Sequence, residues 1–317
     1  SGHGPAWCNS LFEDNAEHGL GLYLGQKTVR ENLIKRIAEV AGSDKASAEL
    51  KAAFDEFMAT KNNTKANDAP AKALIAELEK AAAAGCTESA EILKSKEFIA
   101  KKSVWIFGGD GWAYDIGFGG LDHVLASGED VNVMVFDTEM YSNTGGQASK
   151  ATPTSATAKF AAGGKQVAKK DLGGILMQYG YVYVAQVAMG ADQAQTLRAL
   201  REAESYDGPS IVICYCPCLE QHIKAGMGNS QLEMKKAVEC GYWHLYRYDP
   251  RRIAEGKNPF QLDSPEPDTD KLMDFLMGEN RFASLKNNFP EKADALYAKE
   301  ITDVKARYAK YKKMAQD

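Results

Sequence analysis

Four short, almost wholly apolar segments constrain the fold of this chain more than any other feature. They are SVWIFG at residues 103–108, VNVMVFD at 131–137, YVYVAQV at 181–187 and PSIVICY at 209–215. Segments this apolar are typical of strands covered on both faces, and the amphipathic stretches between them are typical of crossover helices. Because strands joined by such crossovers run parallel, the pattern predicts an α/β fold with a doubly wound, mainly parallel sheet.

The remaining segments read mostly as helical. Crossover helices are predicted at residues 115–126, 167–179 and 191–203, a further strand at 242–248, and tail helices at 268–278 and 290–312. Ahead of the sheet, residues 20–99 are rich in Ala, Glu and Lys with helical apolar spacing, which predicts three or four helices broken near Gly42 and at 61–70. We therefore predict a domain over residues 1–252, with a helical insertion at about 30–99, and a helical C-terminal tail over 253–317.

Charge and cysteine content exclude several classes of partner. The formal net charge of −5 and the pI near 5.7 leave no domain-wide positive field for a nucleic acid or an anionic membrane. No apolar run approaches the roughly 20 residues that cross a bilayer, and the start of the chain lacks the pattern of a signal peptide. Six scattered cysteines do not form a disulfide framework, so we expect a cytoplasmic protein in a reducing compartment.

A glycine-rich loop, GGDGWAYDIGFGG at residues 108–120, follows the first predicted strand. Gly109 and Gly111 would let a ligand approach the main chain, and the next helix would favour an anionic group. Asp110 would repel a diphosphate unless a divalent cation such as Mg²⁺ lay between them. A plain turn capped by Asp110 is an open alternative; a dinucleotide-binding loop fits less well, because the G-x-G-x-x-G spacing is not kept.

The second predicted strand runs into the polar sequence FDTEMYSNTGGQ. Thr138 and Met140 would emerge at the carboxyl edge of the sheet, where open α/β sheets bind ligands. The threonine hydroxyl and the methionine carbonyl would complete an oxygen site with Asp110, two diphosphate oxygens and a water. Residues 143–147 would form a loop over the ligand, although NTGG alone is also typical of an ordinary turn.

Taken together, these motifs resemble one family. GDGWAYDIGFGGLDH, FDTEMYSNTGGQASKATPTSA, the opening GPAWCNSLFEDNAEHGLG and the later YCPCLEQHI resemble the thiamine-diphosphate-binding part of single-chain pyruvate:ferredoxin (flavodoxin) oxidoreductases, in the same order. The likeness runs from about Gly4 to Arg252. It implies the thiamine diphosphate-binding fold, with residues 1–252 as its pyrophosphate domain.

The resemblance also implies roles for individual residues. Asp110, Thr138 and the main-chain carbonyl of Met140 would bind Mg²⁺. The diphosphate site would be lined by Gly109, Gly111, Trp112 and Ser142. Asn143 would lie near the reacting thiazolium and the pyruvate carbonyl, where its neutral amide could donate a hydrogen bond to a developing oxyanion.

The activity implied is oxidative decarboxylation of pyruvate with coenzyme A to acetyl-CoA and CO₂, with electrons passing through [4Fe-4S] clusters to ferredoxin or flavodoxin. A homodimer is the expected assembly. Two alternatives stay open: another thiamine diphosphate enzyme, such as a decarboxylase or a separate β subunit of an oxoacid oxidoreductase, or a non-catalytic α/β module that binds a nucleotide.

By the same resemblance Cys218 would be one ligand of the [4Fe-4S] cluster nearest the thiamine. The other three ligands are expected upstream of residue 1, so the isolated chain should be inactive unless the remaining domains of the parent enzyme associate with it. From the residues alone, Cys214, Cys216 and Cys218 are more typical of alternate positions at a strand end, because a [4Fe-4S] cube generally needs four thiolates.

The five histidines show no metal-ligand spacing, and the lysines within residues 165–170 are typical of a solvated helix face.

Overall fold

The computed structural model describes residues 15–316, which form two compact units, Glu17–Val104 and the residues from Trp105 onward. Cys8 and most of the opening motif lie outside the described residues. Among the helices that are described, none is long and apolar enough to cross a membrane.

The first unit is helical. Its helices are α1 (Ala16–Gly42), α2 (Ala48–Thr60), α3 (Thr64–Ala83) and α4 (Thr87–Leu93), followed by a 3₁₀ turn at Lys96–Phe98. The side chain of Ser47 accepts a hydrogen bond from the amide of Leu50, and that of Asn63 from the amide of Ala66, which fixes where α2 and α3 begin. The predicted break at 61–70 is therefore shorter, and Pro70 lies inside α3.

One apolar cluster holds this unit together. Its members come from all four helices and the segment after them: Leu33, Ile37, Val40, Leu50, Ala53, Phe57, Ala71, Leu74, Leu78, Ile92 and Ile99. Their spacing of three and four residues along each helix places them on one face, which buries them together.

The second unit is built on a six-stranded sheet. Its strands are β1 (Trp105–Gly109), β2 (Asn132–Asp137), β3 (Tyr183–Val187), β4 (Ser210–Tyr215), β5 (Tyr246–Tyr248) and β6 (Phe260–Leu262), in the order β1-β2-β4-β3-β5-β6. The first four are parallel, whereas β5 and β6 run antiparallel at one edge. The predicted doubly wound, mainly parallel α/β fold is confirmed, and β6 extends the sheet into the segment predicted as a helical tail.

Eight helices accompany the sheet in the described residues. They are α5 (Phe118–Ala126), α6 (Leu172–Met177), α7 (Gln193–Ser205), α8 (Ser230–Glu239), α9 (Arg251–Ala254), α10 (Leu272–Gly278), α11 (Asn280–Asn288) and α12 (Pro290–Met314). The crossover predicted at 167–179 is reduced to α6, because the side chain of Asp171 caps the amide of Gly174 and starts the helix late.

Parallel pairing brings the carboxyl ends of three strands to one edge. Gly109 of β1 lies opposite Phe136 of β2, and Asp137 of β2 lies opposite Tyr215 of β4. The loops that leave these strands therefore begin side by side, and they carry the residues that the sequence singled out.

His244 gives the second unit a testable dependence on pH. Burial, with Arg307 nearby, lowers the pKa of its imidazole to about 3, and within the described residues its Nε2 atom has no hydrogen-bond partner. Below the unfolded-state pKa of about 6.5, the unfolded chain takes up a proton that the folded chain does not. The free energy of unfolding is therefore highest above pH 6.5, and it falls as the pH is lowered towards 3.

We expect the wild type to lose about 2 kcal/mol more unfolding free energy than His244→Gln between pH 7 and pH 5. Urea unfolding at the two pH values measures this difference. His123→Gln, at an exposed position of α5, serves as the control and should behave as the wild type. Equal losses in the wild type and His244→Gln would contradict the prediction.

Candidate functional site

The loop after β1 places Asp110 at the carboxyl edge of the sheet. Asp110 directly follows β1 and precedes a single π-helical turn, Gly111–Ile116, rather than an ordinary α-helical start. The amide of Gly117 donates to the carbonyl of Trp112 at 2.9 Å, which closes this wide turn. Such π turns are frequent at functional sites, and this one directs the Asp110 side chain towards the loop that follows β2.

Three oxygen atoms from the two loops meet at one point. The Thr138 hydroxyl lies 2.7 Å from Oδ1 of Asp110 and 2.9 Å from the main-chain carbonyl oxygen of Met140. A hydroxyl has one hydrogen to donate, so it cannot satisfy both acceptors at once. Adjacent ligands of an octahedral Mg²⁺, with bonds of about 2.1 Å, are separated by about 3 Å. The two distances from the Thr138 hydroxyl are therefore compatible with a shared cation.

The environment of the Asp110 carboxyl disfavours its ionised form. It is 1% exposed, and burial, followed by the nearby Asp137, raises its pKa to about 7. Hydrogen bonds from Thr138 and Ser149 and the charge of Lys169 act in the opposite direction but do not outweigh burial. A divalent cation beside the carboxylate would stabilise its ionised form.

The glycines of the loop have different uses. A Cβ on Gly109 would meet no atom within 4 Å, so open space lies beside this residue. A Cβ on Gly111 would lie 2.4 Å from the Tyr141 ring, so this glycine is needed for packing between the two loops. The Trp112 ring is buried between Gly108 and Gly117, where a Cβ would lie 2.1 Å from it. Trp112 thus braces the turn from within.

The loop after β2 folds back over this edge as a tight turn. The amide of Gly145 donates to the carbonyl of Ser142, and the amide of Gly146 to that of Tyr141. Both glycines have a positive φ, of 95° and 87°. The Ser142 hydroxyl donates to Thr138 Oγ1 at 2.7 Å, whereas the Asn143 side chain is exposed at the tip of the turn. Ser142 is thereby joined to the oxygen cluster.

Residues 78–214 match the family model described as "Thiamine pyrophosphate enzyme, C-terminal TPP binding domain". The chain is 54% identical over 318 residues to a pyruvate-flavodoxin oxidoreductase from Klebsiella pneumoniae. This alignment covers 99% of this chain and 27% of that relative. It is also 54% identical over 319 residues to a pyruvate:ferredoxin oxidoreductase from Moorella thermoacetica, with the same two coverages.

The chain is homologous to the pyruvate:ferredoxin and pyruvate-flavodoxin oxidoreductases. It spans about a quarter of the length of these curated relatives. Among solved structures, a 2-oxoglutarate:ferredoxin oxidoreductase from Magnetococcus marinus aligns with 24% identity and a TM-score of 0.34. The alignment covers 37% of this chain and 40% of that structure, and at this TM-score no shared fold follows.

The homology to these oxidoreductases draws attention to Cys218, which follows β4 at the same sheet edge. Three residues beyond it, Gln221 donates from Nε2 to the carbonyl of Thr138 at 3.0 Å. Burial raises the pKa of Cys214 to about 12, and it also raises that of Cys216. In the described residues no three His, Cys, Asp or Glu side chains are grouped to hold a metal. The role of Cys218 as one cluster ligand stays a prediction.

Sequence reasoning missed Ser149, whose hydroxyl donates to Oδ2 of Asp110 at 2.7 Å. Ser149 is part of one motif that carries the resemblance to the oxidoreductases, but its position in the loop gave no sign of this contact. The structure places it opposite Thr138 on the same carboxylate, so each oxygen of Asp110 accepts one hydroxyl.

The interpretation of residues 165–170 as a solvated lysine face was wrong for Lys169. Its side chain is 8% exposed, and its Nζ atom lies 2.8 Å from Asp137 and 3.2 Å from Glu139. It also donates to the carbonyl of Ala151 at 2.9 Å. Both carboxylates lie at the end of β2, some 30 residues earlier, so the local sequence gave no indication that this lysine is buried.

Proposed function

We propose that this chain binds the diphosphate of thiamine diphosphate through a Mg²⁺ ion held by Asp110, Thr138 and the carbonyl of Met140. The observation that carries the proposal is the meeting of these three oxygens, at 2.7 and 2.9 Å, where two adjacent parallel strands end. A carboxylate, a hydroxyl and a carbonyl are hard oxygen ligands of the kind that Mg²⁺ takes together with phosphate oxygens.

The surroundings of the oxygen cluster support the same proposal. Open space beside Gly109 leaves room for a ligand next to the main chain. Gly111, Trp112 and Ser142 would line the diphosphate, with Gly111 and Trp112 shaping the turn and Ser142 linked to Thr138. The match of residues 78–214 to a thiamine-pyrophosphate-binding family adds independent support.

In the assembled enzyme the bound thiazolium would act as the electron sink for decarboxylation of a 2-oxo acid. This chain would contribute orientation and electrostatics. Asp110 and Thr138 would fix the diphosphate end, and Asn143 would present a neutral amide that donates a hydrogen bond to the substrate carbonyl oxygen as negative charge develops on it. A neutral donor stabilises this charge without supplying a proton that would quench the reacting carbon.

For the whole protein we propose the reaction that the resemblance implies: pyruvate and coenzyme A would be converted to acetyl-CoA and CO₂, and electrons would pass through [4Fe-4S] clusters to ferredoxin or flavodoxin. Cys218 would supply one cluster ligand. The other ligands, the remaining domains and the second copy of a homodimer lie beyond this chain, which we expect to be inactive alone.

Calorimetry tests the binding step directly. We expect the chain to bind thiamine diphosphate in the presence of Mg²⁺, and to bind it much more weakly when EDTA replaces the metal. NAD and ATP, each with Mg²⁺, are the comparison ligands, because a nucleotide-binding module would prefer one of them. Tighter binding of either nucleotide would refute the proposal.

A further inference from the structure

The loop that carries the proposed Mg²⁺ ligands contains a strained residue between them. Glu139 has a φ of 62°, in the left-handed region that residues with a Cβ seldom adopt. This conformation turns the chain so that the Thr138 hydroxyl and the Met140 carbonyl face each other at 2.9 Å. A relaxed conformation at residue 139 would separate the two oxygens. Something must therefore hold Glu139 in place.

The main chain of Glu139 is fixed on both sides. Its amide donates to Oδ1 of Asp137 at 3.2 Å, and its carbonyl accepts from the Thr152 hydroxyl at 2.6 Å. The carbonyl of Thr138 accepts from Gln221, as described above. These bonds orient the peptide groups, but each comes from a neutral side chain or from a neighbour in the same loop.

The side chain of Glu139 provides the charged anchor. It is 1% exposed, and its Oε2 atom lies 2.8 Å from Nη2 of Arg281 and also accepts a hydrogen bond from the Tyr242 hydroxyl. Lys169 approaches its other oxygen at 3.2 Å. Charge-assisted bonds in a buried setting are stronger and more directional than those at a surface. The carboxylate is therefore held from three directions.

Arg281 is itself immobilised. It belongs to α11, its side chain is 1% exposed, and its Nε atom donates to Glu279 at 2.6 Å. Its main-chain carbonyl accepts from both the amide and the hydroxyl of Thr157, each at 2.7 Å. The guanidinium thus joins the loop after β2 to α11, and the two residues in contact are 142 positions apart in the chain.

We propose that Glu139 and Arg281 are positioning residues, which hold the loop in its left-handed conformation so that Thr138 and Met140 can bind the cation together. The inference rests on the proposed function. Neither side chain is one of the three proposed ligands, and their effect on binding would pass through the main chain of residues 138–140. Residues that orient metal ligands in this way commonly change metal affinity when they are replaced.

The chain offers a matched control for each partner. Arg247 also contacts two carboxylates, Glu202 at 2.6 Å and Asp263 at 2.8 Å, and its side chain is 7% exposed. Glu202, like Glu139, accepts from both an arginine and a tyrosine hydroxyl, here that of Tyr183. This second network joins β3, β5 and α7, and among the described residues none of its hydrogen bonds or ion pairs involves residues 138–140.

The experiment measures Mg²⁺ affinity in the full-length protein that carries this sequence, with saturating thiamine diphosphate. Arg281→Lys keeps the charge but loses the fork that spans Glu139 and Glu279, and Glu139→Gln keeps the shape but loses the charge. We expect each to weaken Mg²⁺ binding by about tenfold to a hundredfold. The controls Arg247→Lys and Glu202→Gln should change it by less than about twofold.

A purely structural role for the pair would lower the melting temperature of all four variants and leave their Mg²⁺ affinities alike. That result would overturn the inference while the proposed function stands, because the wild type would still bind Mg²⁺ and thiamine diphosphate. Should Arg281→Lys fail to fold, Glu139→Gln decides the matter by the same comparison with Glu202→Gln. A wild type that binds no Mg²⁺ with the cofactor would overturn the proposed function and this inference together.

Discussion

Replacing Asp110 by Asn in the full-length protein is expected to abolish Mg²⁺-dependent binding of thiamine diphosphate. Asp110 supplies the only carboxylate of the three-oxygen cluster, and both of its oxygens accept hydroxyl groups that hold it in place. The amide would keep the shape of the side chain but not its charge. Loss of an outer partner alone weakens a metal site about tenfold to a hundredfold, so we expect more than about a hundredfold here. Isothermal titration with and without Mg²⁺ measures the effect.

Stability provides the internal control for this variant. Burial raises the folded-state pKa of Asp110 to about 7 from an ordinary value of 3.8, so stability is lost as the pH rises between these values. At pH 8 without a metal the wild type carries the full cost of the buried charge. Asp110→Asn should therefore raise the free energy of unfolding in EDTA while it removes binding. A misfolded variant would lower both.

Asp122→Asn is the matched control for binding. This carboxylate lies in α5, accepts a hydrogen bond from the Tyr179 hydroxyl at 2.7 Å and makes no contact with Thr138 or Met140 in the described residues. We expect it to retain the affinity of the wild type. If Asp110→Asn binds the cofactor as well as Asp122→Asn does, Asp110 is not a metal ligand.

Replacing Cys218 by Ala is expected to leave cofactor binding intact and to prevent electron transfer from the thiamine site. A thiolate is a soft ligand for iron, alanine offers none, and a [4Fe-4S] cube generally needs four thiolates. Cys218 is half-buried on the segment after β4, at the same edge as Asp110. Iron content and the electron paramagnetic resonance of the reduced full-length protein would show the loss of one cluster.

Cys216→Ala is the control for this change, because it removes a half-buried thiol two residues earlier on the same segment. It should retain the iron content, the resonance and the rate of acceptor reduction of the wild type. Equal losses in the two variants would assign the effect to the segment rather than to ligation by Cys218. An unchanged iron content in Cys218→Ala would remove the residue from the cluster.

The parallel sheet could be predicted because its signal is local. Each of β1 to β4 lies in a mainly apolar segment, and that composition is enough to predict a strand of a parallel sheet. β6 was missed because Phe260–Leu262 is only three residues long and lies next to a proline. It forms a strand because β5 offers it an edge, which is information from distant sequence.

The candidate site divides in the same way. Asp110 and Thr138 could be paired from the sequence, because parallel strands end at the same edge and both residues follow such ends. The packing of Gly111 could not be predicted from the sequence, since it depends on the Tyr141 ring in the neighbouring loop, which leaves no room for a Cβ at residue 111. Lys169 and Arg281 carry charges, and charged residues are expected at the surface unless their partners are known.

Burial of these charges is therefore a property of the assembled fold. Lys169 is buried only because Asp137 and Glu139 meet it at the end of β2, and Arg281 reaches Glu139 from α11. Each contact joins segments that are far apart in the chain. Composition and periodicity within one segment cannot reveal them, whereas the proximity of Asp110 and Thr138 could be predicted from two strand ends alone.

The most direct test of the central claim is a crystal structure of the full-length protein with thiamine diphosphate and Mn²⁺ in place of Mg²⁺. We expect one anomalous peak between about 2.0 and 2.3 Å from the Asp110 carboxylate, the Thr138 hydroxyl and the Met140 carbonyl, in contact with two diphosphate oxygens. A cofactor whose metal lies away from these three atoms, or a diphosphate bound at another strand end, would contradict it.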